Sequence, residues 1–170
     1  LWNIENGKKL AEAKLHEGRI AGLAVAPNGK SFATSGVTDG QVRIQSLAKI
    51  DKPLWAATVD EPLTRDISAY TGEISGVGKL AFSGDGAFLV VAAALKNKIV
   101  ILRTGLGEVV REITGVHGGG SGTGSGLDLQ NVTVSADGTR ILSGGMRTVR
   151  REELPSDFPA RAKNVNLQEV

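Results

Sequence analysis

Only a few side chains in this 170-residue sequence have types and spacings that could do chemistry. The two histidines, His16 and His117, stand far apart, and neither has a second histidine or a cysteine at the short spacing that a metal site needs. The chain has no cysteine, which excludes thiolate nucleophiles and thiolate ligands. The adjacent carboxylates at residues 60–61 and 152–153 would point to opposite sides of an extended chain instead of converging on one substrate. We therefore predict a protein that is not an enzyme, with no catalytic residues, no metal and no cofactor.

A glycine-rich segment, residues 118–126, is the strongest candidate for phosphate binding, because backbone N–H groups in such a loop can surround an anion. It lacks the Lys-Ser or Lys-Thr ending of a phosphate loop, and no helical pattern follows it. Residues 76–81 come close to a dinucleotide-binding pattern, but a strand and a hairpin follow them instead of a helix. We interpret the first segment as a loop and the second as a chance match.

The overall charge excludes two classes of partner. Lys and Arg total 20 and Asp and Glu total 18, so the net charge of +2 creates no field that would gather nucleic acid or anionic lipid. The longest apolar run, residues 87–95, has the length of a buried strand and is far shorter than the roughly 18–20 residues of a membrane-spanning helix. We predict a soluble domain with no nucleic-acid partner and no membrane partner.

Three short turns, residues 27–29, 84–86 and 136–138, divide the chain into similar units. Each turn follows a short apolar run and precedes another, which is typical of two antiparallel strands joined by a hairpin. In the first turn, Asn28 and Gly29 are expected to supply the positive φ angles of a two-residue hairpin. The strand-like runs are residues 20–26, 30–35, 42–45, 79–83, 87–95, 99–102, 108–113 and 132–134. Such a unit buries its apolar face only by stacking on a neighbour, so we predict a stack of antiparallel sheets.

The third unit is predicted by the same pattern. Gly144 and Gly145 are expected to form its second turn, which makes residues 148–151 the third strand and residues 164–170 a fourth. The sequence pattern therefore predicts three similar units in succession.

Two segments resemble the WD40 repeat family of β-propellers. Residues 1–8 look like the end of a third strand followed by its turn, with Trp2 and Asn3 at the two positions of the family's Trp-Asp signature. Residues 35–44 are similar to the family's second strand, turn and third strand. The resemblance implies an all-β fold, a partial WD40-like β-propeller of about three to four four-stranded antiparallel blades.

The resemblance also implies a division of one partial propeller domain, residues 1–170. The turn glycines at residues 29, 86 and 138 are 57 and 52 residues apart, longer than the roughly 40–45 residues of a minimal blade, so two insertions are expected. The predicted parts are residues 1–15 as the end of a blade, 16–59 as the first full blade, 60–76 as an insertion, 77–114 as the second blade, 115–126 as the glycine-rich loop and 127–170 as the third blade.

In this family a His before the first strand, a Ser or Thr in the second strand, a turn Asp and a Trp in the third strand form a hydrogen-bond network within one blade. His16, Ser35 and Asp39 match three of these positions in the first blade. The Trp position holds Gln45 in the first blade and Leu102 in the second. The resemblance therefore implies a partial structural network at His16, Ser35 and Asp39.

The function that the resemblance implies is a non-catalytic scaffold that mediates protein–protein interactions. We expect the partner to contact the insertion through Arg65 and Tyr70, because long loops on a rigid scaffold carry recognition. Trp55 is a third candidate contact, with packing in a fourth strand as its alternative. Two other functions stay open: a fragment of a propeller enzyme or sensor domain, and a structural propeller appended to a separate catalytic or electron-transfer domain.

The chain begins within a strand pattern and without Met, which we interpret as an excerpt of a longer protein. A ring does not close on the blades present, and an open stack would leave apolar faces in water. We expect the remaining blades of the same protein to cover these faces, with self-association of several copies as the alternative.

Overall fold

The fold consists of β-strands joined by turns. The computed structural model describes residues 1–60, 77–94, 96–116, 129, 131–148 and 166–169. Within these ranges the strands are β1 (Ile20–Val25), β2 (Ser31–Gly36), β3 (Gln41–Ser46), β4 (Lys49–Thr58), β5 (Val77–Phe82), β6 (Phe88–Ala93), β7 (Lys98–Arg103), β8 (Val109–Thr114), β9 (Asn131–Val134), β10 (Ile141–Thr148) and β11 (Asn166–Glu169). The same residues form no helix, and therefore none long and apolar enough to cross a membrane. The predicted all-β class is confirmed.

The strands form three antiparallel sheets. The first sheet has the order β1-β2-β3-β4, the second β5-β6-β7-β8 and the third β9-β10-β11. Every pair of neighbours within a sheet is consecutive in sequence, so each sheet is a simple meander. Strand β1 contacts β5, and β5 contacts β9, so the sheets stack in chain order with their first strands side by side.

Two apolar clusters hold the stack together, one on each face of the second sheet. The first cluster lies between the first and second sheets and comprises Ala33, Val42, Ile44, Val59, Val77, Leu80, Leu89, Val91, Ala93, Val100 and Leu102. The second cluster lies between the second and third sheets and comprises Val90, Ala92, Ile99, Leu129 and Val132. The second sheet is therefore the covered layer of the stack.

Strand β6 shows why residues 87–95 read as an uninterrupted apolar run. Its successive side chains point to opposite faces of the sheet. Leu89 and Val91 enter the first cluster, while Val90 and Ala92 enter the second. A strand buried on both faces needs apolar residues at every position, and full burial of each Val or Leu stabilises the fold by about 1.5–3 kcal/mol.

The three glycine turns each contain one residue with positive φ. Gly29, Gly86 and Gly138 have φ values of +64°, +72° and +71°. Each of their N–H groups donates to the carbonyl three residues earlier, at 2.8–2.9 Å. Among the described residues other than glycine, only Asn97 has a positive φ, so the prediction that Asn28 shares the conformation of Gly29 is wrong. In each turn four residues connect the last paired residues (26 and 31, 83 and 88, 135 and 140), two more than in a two-residue hairpin. The left-handed position is the third of the four, where glycine costs least.

The turns also pack against one another at one edge of the stack. A Cβ atom on Gly86 would lie 3.5 Å from the Pro27 side chain of the preceding turn. A Cβ atom on Gly84 would overlap the carbonyl oxygen of Ala136 in the following turn. The turns of successive sheets therefore form a continuous row.

A serine and an aspartate stabilise the second and third turns in the same way. The Ser83 hydroxyl donates to Asp85 Oδ1 at 2.6 Å, and the Ser135 hydroxyl donates to Asp137 Oδ1 at 2.6 Å. These serine hydrogen bonds, followed by backbone N–H groups of the turns, lower the pKa of both aspartates below their ordinary value of 3.8. The carboxylate forms are therefore favoured in the folded chain.

We expect this pair of turns to make the fold more sensitive to acid. A carboxyl group whose pKa is lower in the folded than in the unfolded chain stabilises the fold above its ordinary pKa, and the contribution is lost as the pH falls through the lower folded value. The double variant Ser83→Ala, Ser135→Ala removes the main cause of both shifts. Its melting temperature should fall less steeply than that of the unmodified chain between about pH 5 and pH 2. Equal slopes in thermal melts followed by circular dichroism would contradict this account.

The third sheet differs from the prediction in its strand order. Gly144 and Gly145 do not form a turn, because β10 continues through them to Thr148. The third position in the sheet belongs to β11, which pairs with β10 from Gly145 to Thr148. Thr148 was predicted to begin a third strand over residues 148–151, but it belongs to β10. Residues 164–170 were predicted as a fourth strand, but Asn166–Glu169 hold the third position in the sheet. Both predictions are therefore wrong for these residues. Glycine is permitted in a strand, and here pairing with a distant segment outweighs its local preference for turns.

Candidate interaction surface

A hydrogen-bond network ties the start of the first sheet to its second strand and its β2–β3 turn. The His16 side chain lies just before β1 and is completely buried. Its Nδ1 donates to Oδ2 of Asp39 at 2.8 Å, because a carboxylate only accepts. Its Nε2 lies 2.9 Å from the Thr34 hydroxyl. One imidazole thus links two segments that follow it by 18 and 23 residues.

Arg43 extends this network on β3, and the sequence analysis missed it. Its Nη2 donates to Oδ2 of Asp39 at 3.4 Å, and its Nη1 donates to the carbonyl of Leu15. Its Nε and Nη2 also donate to the side-chain oxygen of Gln41, at 3.1 and 2.9 Å. The available signal was cross-strand pairing, since Arg43 lies opposite Thr34 on the same face of the sheet.

The structure brings His16 and Asp39 together, but Ser35 lies elsewhere. Adjacent residues on a strand point to opposite faces, so Thr34 faces His16 and Ser35 faces the second sheet. The Ser35 hydroxyl donates to the backbone carbonyl of Gly78 in β5, at 2.7 Å. Thr34 is therefore the hydroxyl of the network, and Ser35 joins two sheets.

Comparison with known families identifies the segment that contains this network. The profile of the WD40 family, described as WD domain, G-beta repeat, matches residues 7–45. Residues 7–45 are thus similar to a WD40 repeat. A search of the curated proteins gives no match. WD40 repeats build propeller scaffolds that typically mediate protein interactions. The resemblance and the all-β class predicted from the sequence are confirmed, and the two four-stranded sheets with the smaller third sheet are consistent with blades of a partial WD40-like propeller.

Gln45 is the point at which this WD40 repeat departs from the family pattern, since it stands at the Trp position. Its side chain is completely buried. Neither its Oε1 nor its Nε2 has a hydrogen-bond partner. Gln45 pairs with Phe32 in the first blade, and Leu102 pairs with Leu89 in the second. The two pairs are equivalent, because each lies at the same distance in sequence from the turn glycine of its blade. The second blade thus places leucine where the WD40 repeat buries an unpaired amide.

We expect Gln45→Leu to stabilise the chain by about 1–3 kcal/mol, the cost of a buried polar group without a partner. Leucine already fills the equivalent position in the second blade at Leu102. Urea unfolding of both chains measures the difference. Gln45→Ala is the matched control, because it also removes the amide but leaves a cavity, and it should be less stable than Gln45→Leu. A Gln45→Leu chain that is less stable than the unmodified one would indicate that the amide has a partner.

Trp55, predicted as a partner contact with packing as the alternative, lies half-buried in β4. Its indole Nε1 donates to the backbone carbonyl of Thr104 at 2.7 Å. Its ring lies where a side chain on Gly107 would stand. Both partners belong to the β7–β8 turn of the second blade. These contacts favour the packing alternative, in which Trp55 joins the outer edges of two blades.

The remaining sequence candidates lie outside the described residues. These are Arg65 and Tyr70 of the insertion, His117, and the glycine-rich residues 118–126. The ends of the insertion are described: Thr58 pairs with Gln41, and Val77 pairs with Ala93. Among the residues that the structure describes, no three His, Cys, Asp or Glu side chains are grouped to hold a metal ion.

A groove of about 510 Å³ lies on the face of the first blade that is turned away from the second. Residues 1–15 form one wall, which includes Trp2. The other side is apolar and includes Leu23, Val25 and Phe32. Leu23 and Val25 are largely exposed to solvent. We call this surface the groove of the first blade.

Proposed function

We propose that this chain is a non-catalytic WD40 scaffold whose insertion, residues 60–76, binds a protein partner. The observation that carries the proposal is the WD40 repeat at residues 7–45, since this family typically mediates protein interactions. The residues that flank the insertion support its position. Val59 and Val77 are both buried in the first cluster, so the two ends are anchored together in the core. A segment with fixed ends loses less conformational freedom on binding than a free one.

Arg65 and Tyr70 are the contacts we assign to the partner. Tyr and Arg are enriched among the residues that contribute most to protein–protein binding, since each combines a large contact area with a hydrogen-bonding group. Adjacent to the insertion, Trp55 supports the scaffold and does not contact the partner, because its N–H group already donates to Thr104.

Site-specific photo-crosslinking tests the proposal. A photoreactive amino acid replaces Tyr70 in one chain and Asn28 in a control chain. Asn28 is the control because it lies in the β1–β2 turn and not in the insertion. After exposure to extract of the source cells and irradiation, mass spectrometry identifies the adducts. We expect a protein that cross-links at residue 70 and not at residue 28. The same set of proteins at both positions, or none at residue 70, would refute the proposal.

A second measurement uses the captured protein. The double variant Arg65→Ala, Tyr70→Ala should weaken its binding by about 10–100-fold, the effect of losing one or two dominant contacts. Lys30→Ala, in the turn region with Asn28, is the matched control and should bind as the unmodified chain does. If the unmodified chain, the double variant and Lys30→Ala bind with equal affinity, residues 65 and 70 do not contribute to the interface.

A further inference from the structure

The first glycine turn differs from the other two at the residue before its glycine. In all three turns the glycine N–H donates to the carbonyl three residues earlier, so the turns correspond residue by residue. Asn28 precedes the glycine of the first turn, whereas Asp85 and Asp137 precede those of the others. The first turn also has Ala26 where the others have the serine that donates to the carboxylate. Of the three, this turn alone carries a neutral side-chain amide before its glycine.

The side-chain carbonyl of Asn28 is polarised for nucleophilic attack. The N–H group of Lys30 donates to its Oδ1 at 2.9 Å. When a nucleophile adds to Cγ, negative charge develops on Oδ1, and a donor at this distance stabilises it. None of the described residues accepts a hydrogen bond from Nδ2, so nothing holds this leaving group. The ionised carboxylates of Asp85 and Asp137 are poor electrophiles by comparison, because neither of their oxygens leaves readily.

The backbone nitrogen of Gly29 is the nucleophile, because its attack on Cγ closes a five-membered ring. No heavy atom lies within 4 Å of a Cβ built on Gly29, so nothing obstructs this ring. Residues 27–30 are all exposed, and water and hydroxide therefore reach the nitrogen. Its N–H group donates to the carbonyl of Ala26 at 2.9 Å, and this hydrogen bond must open before the nitrogen loses its proton. Such local opening costs little in an exposed turn.

We propose that Asn28 is a modification site, at which deamidation produces aspartate and isoaspartate. Hydroxide removes the proton of the Gly29 N–H group, and the nitrogen attacks Cγ of Asn28. The Cγ–Nδ2 bond breaks, Nδ2 takes a proton from water and leaves as ammonia, and a succinimide remains. Water then adds to one of the two succinimide carbonyls and opens the ring. Opening at the side-chain carbonyl gives aspartate, and opening at the main-chain carbonyl gives isoaspartate.

Asn6 repeats this arrangement elsewhere in the chain. Asn6 and Asn28 are the two asparagines that precede glycine, and a lysine follows the glycine in both places. The N–H group of Lys8 donates to Oδ1 of Asn6 at 3.0 Å. The φ value of Gly7, +67°, is close to the +64° of Gly29. The same reaction is therefore expected at Asn6, which provides an internal replicate.

The two products affect the first turn differently. Aspartate already occupies the equivalent position in the other two turns, where it accepts from the backbone N–H two residues later. Isoaspartate lengthens the main chain by one atom between Ala26 and Ser31, whose backbone hydrogen bond of 2.9 Å closes the hairpin. Isoaspartate should therefore loosen the β1–β2 hairpin, whereas aspartate should leave it intact.

Peptide mapping of the folded chain after storage in mildly alkaline buffer tests the proposal. In a tryptic digest, residues 20–30 form a peptide whose only asparagine is Asn28, and residues 112–140 form one whose only asparagine is Asn131. Asn131 is the matched control, because it is exposed but lies in β9 and precedes valine. The first peptide should give two products about one dalton heavier, about tenfold or more faster than the second. Isoaspartyl methyltransferase, with S-adenosylmethionine as methyl donor, should label one of the two.

The same mapping of a chain kept unfolded in guanidinium chloride shows whether the folded turn permits the reaction. Modification of residue 28 that is confined to the unfolded chain would mean that the turn protects it, and would overturn the proposal. Equal modification of residues 28 and 131 in the folded chain would also overturn it. A reaction at residue 28 without one at residue 6 would exclude the shared geometry as its cause.

Melting temperatures separate the effects of the two products. Asn28→Asp should melt at the temperature of the unmodified chain, because the other turns already carry aspartate. After storage, the unmodified chain should melt at a lower temperature, since part of it carries isoaspartate at residue 28. A stored Asn28→Asp chain is the matched control, because its other asparagines deamidate under the same conditions. Equal melting temperatures of the two stored chains would show that the turn tolerates isoaspartate and would contradict the assigned effect on the hairpin.

Discussion

Asp39→Ala should destabilise the chain by about 3 kcal/mol, the cost expected when charged hydrogen bonds are lost in a largely buried site. Asp39 accepts from the imidazole of His16 and from the guanidinium of Arg43. Removal of the carboxylate leaves the His16 Nδ1–H without an acceptor, although the ring stays buried. The measurement is the free energy of unfolding in urea, extrapolated to water.

Two further chains decide whether this loss comes from the network. Asp51→Ala removes an exposed carboxylate on β4 and should change the free energy of unfolding by less than about 0.5 kcal/mol. The double variant His16→Ala, Asp39→Ala should be more stable than the sum of the two single losses predicts, by about 1–3 kcal/mol, because the residues interact directly. Strict additivity would show that the pair does not act as a unit.

Gly84→Ala should also cost about 3 kcal/mol, at the upper end of the usual penalty for overpacking. The new methyl group would overlap the backbone carbonyl of Ala136, and a backbone atom in a paired hairpin does not rotate away as a side chain would. The second and third blades must therefore move apart at their turns. Thermal melts and urea unfolding of the purified chain measure the loss.

Gly105→Ala is the matched control for this variant. No heavy atom lies within 4 Å of a Cβ built on Gly105, and its backbone has no positive φ. Its stability should be unchanged or rise by a few tenths of a kcal/mol, since alanine restricts the unfolded chain. An equal loss in both variants would trace the effect to local backbone preference instead of contact between blades.

The strands of the first two blades follow from their sequence, because two local signals agree there. Glycine turns mark where each hairpin reverses, and apolar alternation or continuous apolar runs mark the strands. In the third blade these signals predict β9 and the turn at residues 136–138, but they do not predict the strand order that follows. Gly144 and Gly145 match a turn signal, but β10 continues through them because Gly144 pairs with Asn131 of β9 and Gly145 pairs with Glu169 of the distant β11. No local pattern contains that information.

The network shows the same division between local and tertiary information. The resemblance identifies His16 and Asp39, whose positions are fixed by the ends of β1 and β2. The choice between Thr34 and Ser35 depends on which face of β2 meets the imidazole, and one residue of register reverses the answer. Arg43 lies within the segment that resembles the family, but only its pairing opposite Thr34 indicates a role in the network.

The placement of this network has a consequence for the order in which the chain folds during synthesis. His16, Thr34, Asp39 and Arg43 all belong to the first 43 residues, so their hydrogen bonds form within one blade before the next is made. The second blade depends instead on apolar contacts with both neighbours, and those of the second cluster involve residues that leave the ribosome later. The first blade thus forms before the second and offers it an apolar face, which shortens the time that apolar strands such as β6 spend exposed to aggregation.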